Sequence, residues 1–113
     1  PVWHTSITNE QCHRLESVQR RAVYINNGLT NDYTTFCINN NLPSLYERRC
    51  DLSKRFFNNS VLPSASCLHY LLPFRRDTDV IAKLRNPNVF CLPTARSERY
   101  KHSFLNFALE HFM

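Results

Sequence analysis

Between residues 9 and 26 the apolar positions recur at steps of three and four: Cys12, Leu15, Val18, Ala22 and Ile25. This spacing lines one side of a helix and predicts one over that stretch. Thr8 precedes it and Gln11 follows three residues later, the pattern of a capping box, with Ile7 and Cys12 at the positions of a hydrophobic staple. Gly28 supplies the stop. Arg14, Arg20 and Arg21 fall off the stripe and are expected to face water or a ligand. A short helix is predicted over residues 33–39, capped by Asp32, with Tyr33, Phe36 and Cys37 as its apolar face. The run Asn39-Asn40-Asn41 weakens it, because Asn favours turns over helix interiors, and Leu42-Pro43 breaks the chain. A third helix is predicted over residues 44–58, with a second capping box in Ser44 and Glu47 and with Leu45, Leu52 and Phe56 as its apolar positions. Residues 65–72 suggest a brief fourth helix, capped by Ser64 and closed by Pro73.

From Phe74 to Tyr100 no period holds, and Pro87 and Pro93 mark irregular chain in which residues 88–92 could form a short strand. Residues 103–113 place Phe104, Phe107, Ala108 and Phe112 on one side of a terminal helix that needs a surface to cover. The expected fold is therefore mostly α: a small fragment of two to four helices over residues 1–73, then an irregular basic tail with a short terminal helix over residues 74–113. Leu15, Val18, Ala22, Leu45, Leu52 and Phe56 are the expected core. With 113 residues there is room for one small domain or part of a larger one.

Composition narrows the function classes. A single glycine, Gly28, leaves no Gly-rich phosphate loop of either the P-loop or the dinucleotide type. No run approaches the roughly 18 apolar residues of a membrane span, so no membrane partner is expected. The start Pro1-Val2-Trp3-His4 carries none of the marks of a signal peptide and reads as a cut through a longer protein. Cys12, Cys37, Cys50, Cys67 and Cys91 are too far apart for a zinc knuckle or a redox pair. An odd count of scattered thiols fits a reducing, intracellular compartment, either cytoplasm or nucleus. No metal site or cofactor is expected in this chain. Asp77 and Asp79 are the only close carboxylate pair, and beside Arg75 and Arg76 they read as a solvated turn rather than a metal clamp. No catalytic residue is assigned.

Charge is more informative. Lys and Arg total 14 against 9 acids, for a net charge of +5, and 11 of the 14 are Arg. The guanidinium is a planar fork of donors that matches phosphate oxygens. The candidate nucleic-acid contacts are Arg20 and Arg21 on the first helix, Arg48 and Arg49 on the third, and Arg96, Arg99 and Lys101 near the end, with Tyr100 as a possible stacking ring. The competing reading makes these residues structural ion pairs, for example between Arg20 and Glu16.

These blocks also resemble a known family. Pro1-Val2-Trp3-His4, Leu15-Glu16-Ser17-Val18-Gln19-Arg20-Arg21-Ala22 and Leu42-Pro43-Ser44-Leu45-x-x-Arg48-Arg49 are similar to the region after the polymerase palm in reverse transcriptases of non-LTR retrotransposons of the jockey-like, LINE type. Leu92-Pro93, Arg96, Glu98-Arg99-Tyr100 and Ser103-Phe104 resemble that family's closing segment, and the blocks fall in the family's order. The resemblance implies a thumb-like or connecting helical piece of an RNA-directed DNA polymerase, lying near the template-product duplex. It implies that catalysis, with its Mg ions, belongs to a palm whose Tyr- or Phe-x-Asp-Asp motif this chain lacks. The implied partners are RNA or DNA through phosphate contacts, and the missing palm domain. A stand-alone basic nucleic-acid-binding module and a protein-interaction fragment docking on that palm are the alternatives. Asn26-Asn27 and Asn39 to Asn41 depart from the family's usual apolar and basic continuation, as a decayed or truncated copy would.

Overall fold

The computed structural model describes residues 2–28, 32–85 and 87–113. It is mostly α, as expected, and among the described residues the only β pairing is an isolated antiparallel bridge between Arg75 and Phe90. The α-helices are α1 (Asn9–Asn27), α2 (Tyr33–Asn39), α3 (Leu45–Phe56), α4 (Thr78–Ile81), α5 (Glu98–Lys101) and α6 (Phe104–His111). A 3-10 turn precedes α1 (Val2–Ser6), a wide π-type turn continues α3 (Phe57–Val61), and another 3-10 turn follows (His69–Leu71).

The ends of these helices follow from local chemistry. The Thr8 N–H donates to Gln11 Oε1 at 2.9 Å, and the Gln11 N–H donates to Thr8 Oγ1 at 3.3 Å. Two N–H groups that a helix start would strand are thereby satisfied. Gly28, at φ 72°, closes α1 with its N–H on Tyr24 O at 3.0 Å. At α3 the Ser44 N–H donates to Glu47 Oε2 and the Glu47 N–H to Ser44 Oγ, both at 3.1 Å. Asp32 stands before α2 without a side-chain cap; its carboxylate accepts from Thr34 Oγ1 at 2.9 Å. The asparagine run turns out to terminate α2 actively. Asn41 is left-handed at φ 49°, with its N–H on Ile38 O at 3.3 Å and the Leu42 N–H on Cys37 O at 2.9 Å. That is a Schellman closure with Asn in the glycine position, and Pro43 follows where the helix cannot continue.

The chain forms two compact units that divide within α3. One comprises Ile7–Leu52; the other joins the N-terminal segment through Ser6 to Ser53–Met113. The sequence-based division at residue 73 concerns regularity of the chain, whereas this one concerns packing.

In the second of these units Phe57, Val61, Phe90, Phe104, Ala108 and Leu109 are buried together, with Phe56, Leu62, Leu72, Leu92 and Phe112 packed around them. The Phe104 ring lies 5.8 Å from Phe56 and 6.4 Å, edge-on, from Phe57. The terminal helix thus covers the wide turn after α3, and the N-terminal 3-10 turn packs against α6 with His4 buried. Large aromatic side chains dominate such a core because each removes so much apolar area from water.

Four expectations are corrected. The predicted stripe on α1 holds only at its start, where Cys12 and Leu15 are half-buried; beyond it Val18 and Ile25 are 66% and 74% exposed, Ala22 is exposed, and Val23 is the buried residue. The inner side of α1 is instead Cys12, Leu15, Glu16, Gln19 and Val23. Glu16 and Gln19 turn inward because their polar groups are needed there, as described below. Leu52 is also largely exposed and Phe56 belongs to the other unit's core, so the six-residue core does not form as expected. The fourth helix is reduced to the 3-10 turn His69–Leu71, and the strand expected at 88–92 is reduced to the bridge at Phe90.

Candidate nucleic-acid interface

In the unit Ile7–Leu52, the start of α3 is held by α1. Glu16 accepts from the Leu45 N–H at 3.1 Å through Oε2 and 3.4 Å through Oε1. A carboxylate at a helix N-terminus meets both unpaired N–H groups and the positive end of the helix dipole. The Tyr33 hydroxyl donates to Glu16 Oε1 at 3.0 Å and accepts from Gln19 Nε2 at 3.1 Å, and Gln19 Nε2 also donates to Pro43 O at 3.2 Å. Partial burial, with hydrogen bonds to Cys37 and Glu16, pushes the Tyr33 hydroxyl up to about 12. The same network places Arg20, whose guanidinium carbon lies 5.2 Å from the Tyr33 ring centroid. Arg20 therefore stacks on Tyr33, and Glu16 caps α3 rather than pairing with it.

Arg20 and Arg21 are exposed on α1, and Arg48 is exposed on α3. Arg49 is half-buried and donates to Cys12 Sγ at 3.5 Å, so it belongs to the interior of the unit more than to its surface.

The other candidates lie in the second unit. Ser97 caps α5, with the Tyr100 N–H on its Oγ at 3.3 Å. That short helix presents Arg99, Tyr100 and Lys101, all exposed, and Arg96 is exposed just before it. Lys101 Nζ lies 2.6 Å from Glu98 Oε1, and His102 Nε2 lies 3.8 Å from Glu98 Oε2. The contact with Lys101 holds the Glu98 carboxyl below its ordinary value, and Glu98 in turn raises Lys101. Such an exposed pair adds little stability.

Among the described residues no group of His, Cys, Asp and Glu is placed to hold a metal ion, and all five cysteines are free. The concavities are open. A cleft of about 550 Å³ in the first unit is lined by Tyr33, Cys37, Ile38, Pro43 and Glu47, among others, and contains no histidine to activate a nucleophile. Among the described residues no helix is long and apolar enough to cross a membrane.

The sequence reading found the exposed arginines but missed the network that orients Arg20. Its only trace in the sequence is a pair of polar residues, Glu16 and Gln19, at helical spacing beside the expected apolar stripe. Compared with family models, with curated proteins and with solved structures, the chain finds no match.

Proposed function

We propose that this chain is the thumb-like, post-palm segment of a non-LTR retrotransposon reverse transcriptase and that it helps hold the template-product nucleic acid through phosphate contacts. The observation that supports it best is the state of the arginines. Arg20, Arg21, Arg48, Arg96 and Arg99 are exposed, and none enters an ion pair among the described residues. Guanidinium groups without a carboxylate keep their donors available for phosphate oxygens. The order of the sequence blocks supplies the family; the arginines supply the role. Catalysis with Mg belongs, on this reading, to the palm of the parent protein.

The test is binding of an RNA–DNA duplex at several salt concentrations. The expected result is an affinity that falls steeply and log-linearly with salt, as counterions released by phosphate contacts require. Salt-independent binding, or none at low salt, would overturn it. A second reading, docking on the parent's palm, is favoured by one observation: Val18, Ala22 and Ile25 leave an apolar stripe of α1 in water. Loss of palm association on Val18→Asp, with duplex binding unchanged, would support it.

A further inference from the structure

The segment after the 3-10 turn His69–Leu71 presents two aromatic rings to water. Phe74 is 91% exposed and Tyr70 is 80% exposed. Single exposed apolar residues are ordinary. These two differ in being carried on tied backbone. Phe74 O accepts from the Cys91 N–H at 3.0 Å, and the Arg76 N–H donates to Val89 O at 2.8 Å, on either side of the Arg75–Phe90 bridge. Pro73 fixes the backbone angle just before it. Tyr70 sits between Leu71, whose N–H donates to Leu68 O at 3.1 Å, and His69, whose Nδ1 lies 2.9 Å from Leu62 O. Both rings are thus held out on fixed supports.

The immediate neighbours are cationic. Arg75 stands over the Phe90 ring at 5.6 Å, and neither Arg75 nor Arg76 enters an ion pair with Asp77 or Asp79 among the described residues. Exposed aromatic rings on tied backbone, followed in the chain by an exposed Arg75 and a half-buried Arg76, match the chemistry of an unpaired nucleotide, a flat base joined to a phosphate. A protein partner would bury the rings but has no need of the arginines. We infer that Phe74 and Tyr70 form a stacking platform for unpaired bases of single-stranded nucleic acid, with Arg75 and Arg76 against the adjoining phosphates. This rests on the nucleic-acid reading above and names the form of nucleic acid, single-stranded, that the second unit takes.

The experiment uses the full chain with fluorescent single-stranded oligouridylate and oligothymidylate, a matched RNA–DNA duplex, and salt titrations. Phe74→Ala should weaken single-strand binding by roughly 5- to 100-fold per base unstacked, with the salt slope unchanged, because stacking releases no counterions. Duplex binding should stay within about twofold. Phe74→Tyr should retain binding, and Phe74→Leu, apolar but without a π face, should behave as Ala does. Since the ring is exposed, circular dichroism and the melting temperature should be unchanged in all three. If the parent chain binds single strands and Phe74→Ala or Phe74→Leu binds equally well, the platform is refuted while phosphate binding stands. If the parent chain binds neither form at low salt, both readings fall.

Discussion

Tyr33 is the residue on which the first unit turns. Its hydroxyl joins Glu16 to Gln19, and those two side chains reach the start of α3 and Pro43. The folded value of about 12 lies above the ordinary tyrosine value of 10.0, with burial as the main cause. The neutral phenol is therefore the form the fold prefers. Its contribution is fully present below pH 10 and is lost as the pH rises toward 12. Denaturant unfolding followed by circular dichroism should accordingly show stability falling faster between those values in the parent chain than in Tyr33→Phe. At neutral pH the variant should be less stable by about 1–2 kcal/mol, since it leaves Glu16 and Gln19 each short of a partner. Parallel alkaline curves for the two chains would mean that Tyr33 ionises as it does in the unfolded state.

At the scale of elements, boundaries were legible and faces were not. Both capping boxes, the glycine stop and the terminal helix could be read from sequence because each depends on residues within one turn of the boundary. The face of α1 depends on what lies opposite, and no local pattern records that. Val18, Ala22 and Ile25 keep perfect helical spacing, yet the unit draws Glu16 and Gln19 inward to satisfy the backbone of α3 and Pro43. A half-buried N–H at a helix start left without a partner would cost more than a valine left in water. At Asn41 the composition is enough to mark the end of α2, but only its left-handed φ shows it to be the closing residue of a specific motif. Of the candidate site, the exposed arginines were legible, whereas the network behind Arg20 and the ring at Phe74 required the fold. The two faces of α1 make opposite predictions. Val23→Ala should destabilise by about 1–2 kcal/mol, the loss of two buried carbons, while Val18→Ala should stay within about 0.5 kcal/mol. Thermal melts of the two variants decide it, and a larger loss at Val18 would restore the sequence-derived face. In the other unit Phe57, fully buried under α6, should cost about 3–5 kcal/mol when cut to Ala.

At the scale of the molecule the question is what a chain of net charge +5 does with its surface. On the proposed reading it holds nucleic acid without copying it. The purified chain should therefore incorporate no nucleotide on any RNA template above a heat-treated control, and incorporation would end the thumb-like assignment. The cations themselves are not equivalent. Lys101 is engaged by Glu98, whose carboxyl that contact holds below its ordinary value, whereas Arg99 on the same short helix has no such partner among the described residues. Arg99→Ala should then flatten the plot of log affinity against log salt by about one unit or slightly less, and Lys101→Ala should change it less. Glu98→Gln removes the competitor, so it should raise affinity at low salt and steepen the slope, and Lys101→Ala placed on top of it should recover the full effect of a free cation. The order in which these variants act is the test, because overall charge alone would make Arg99→Ala and Lys101→Ala indistinguishable. Equal slopes for those two, with Glu98→Gln silent, would mean that α5 contributes only long-range charge and that the phosphate contacts lie with Arg20, Arg21 and Arg48.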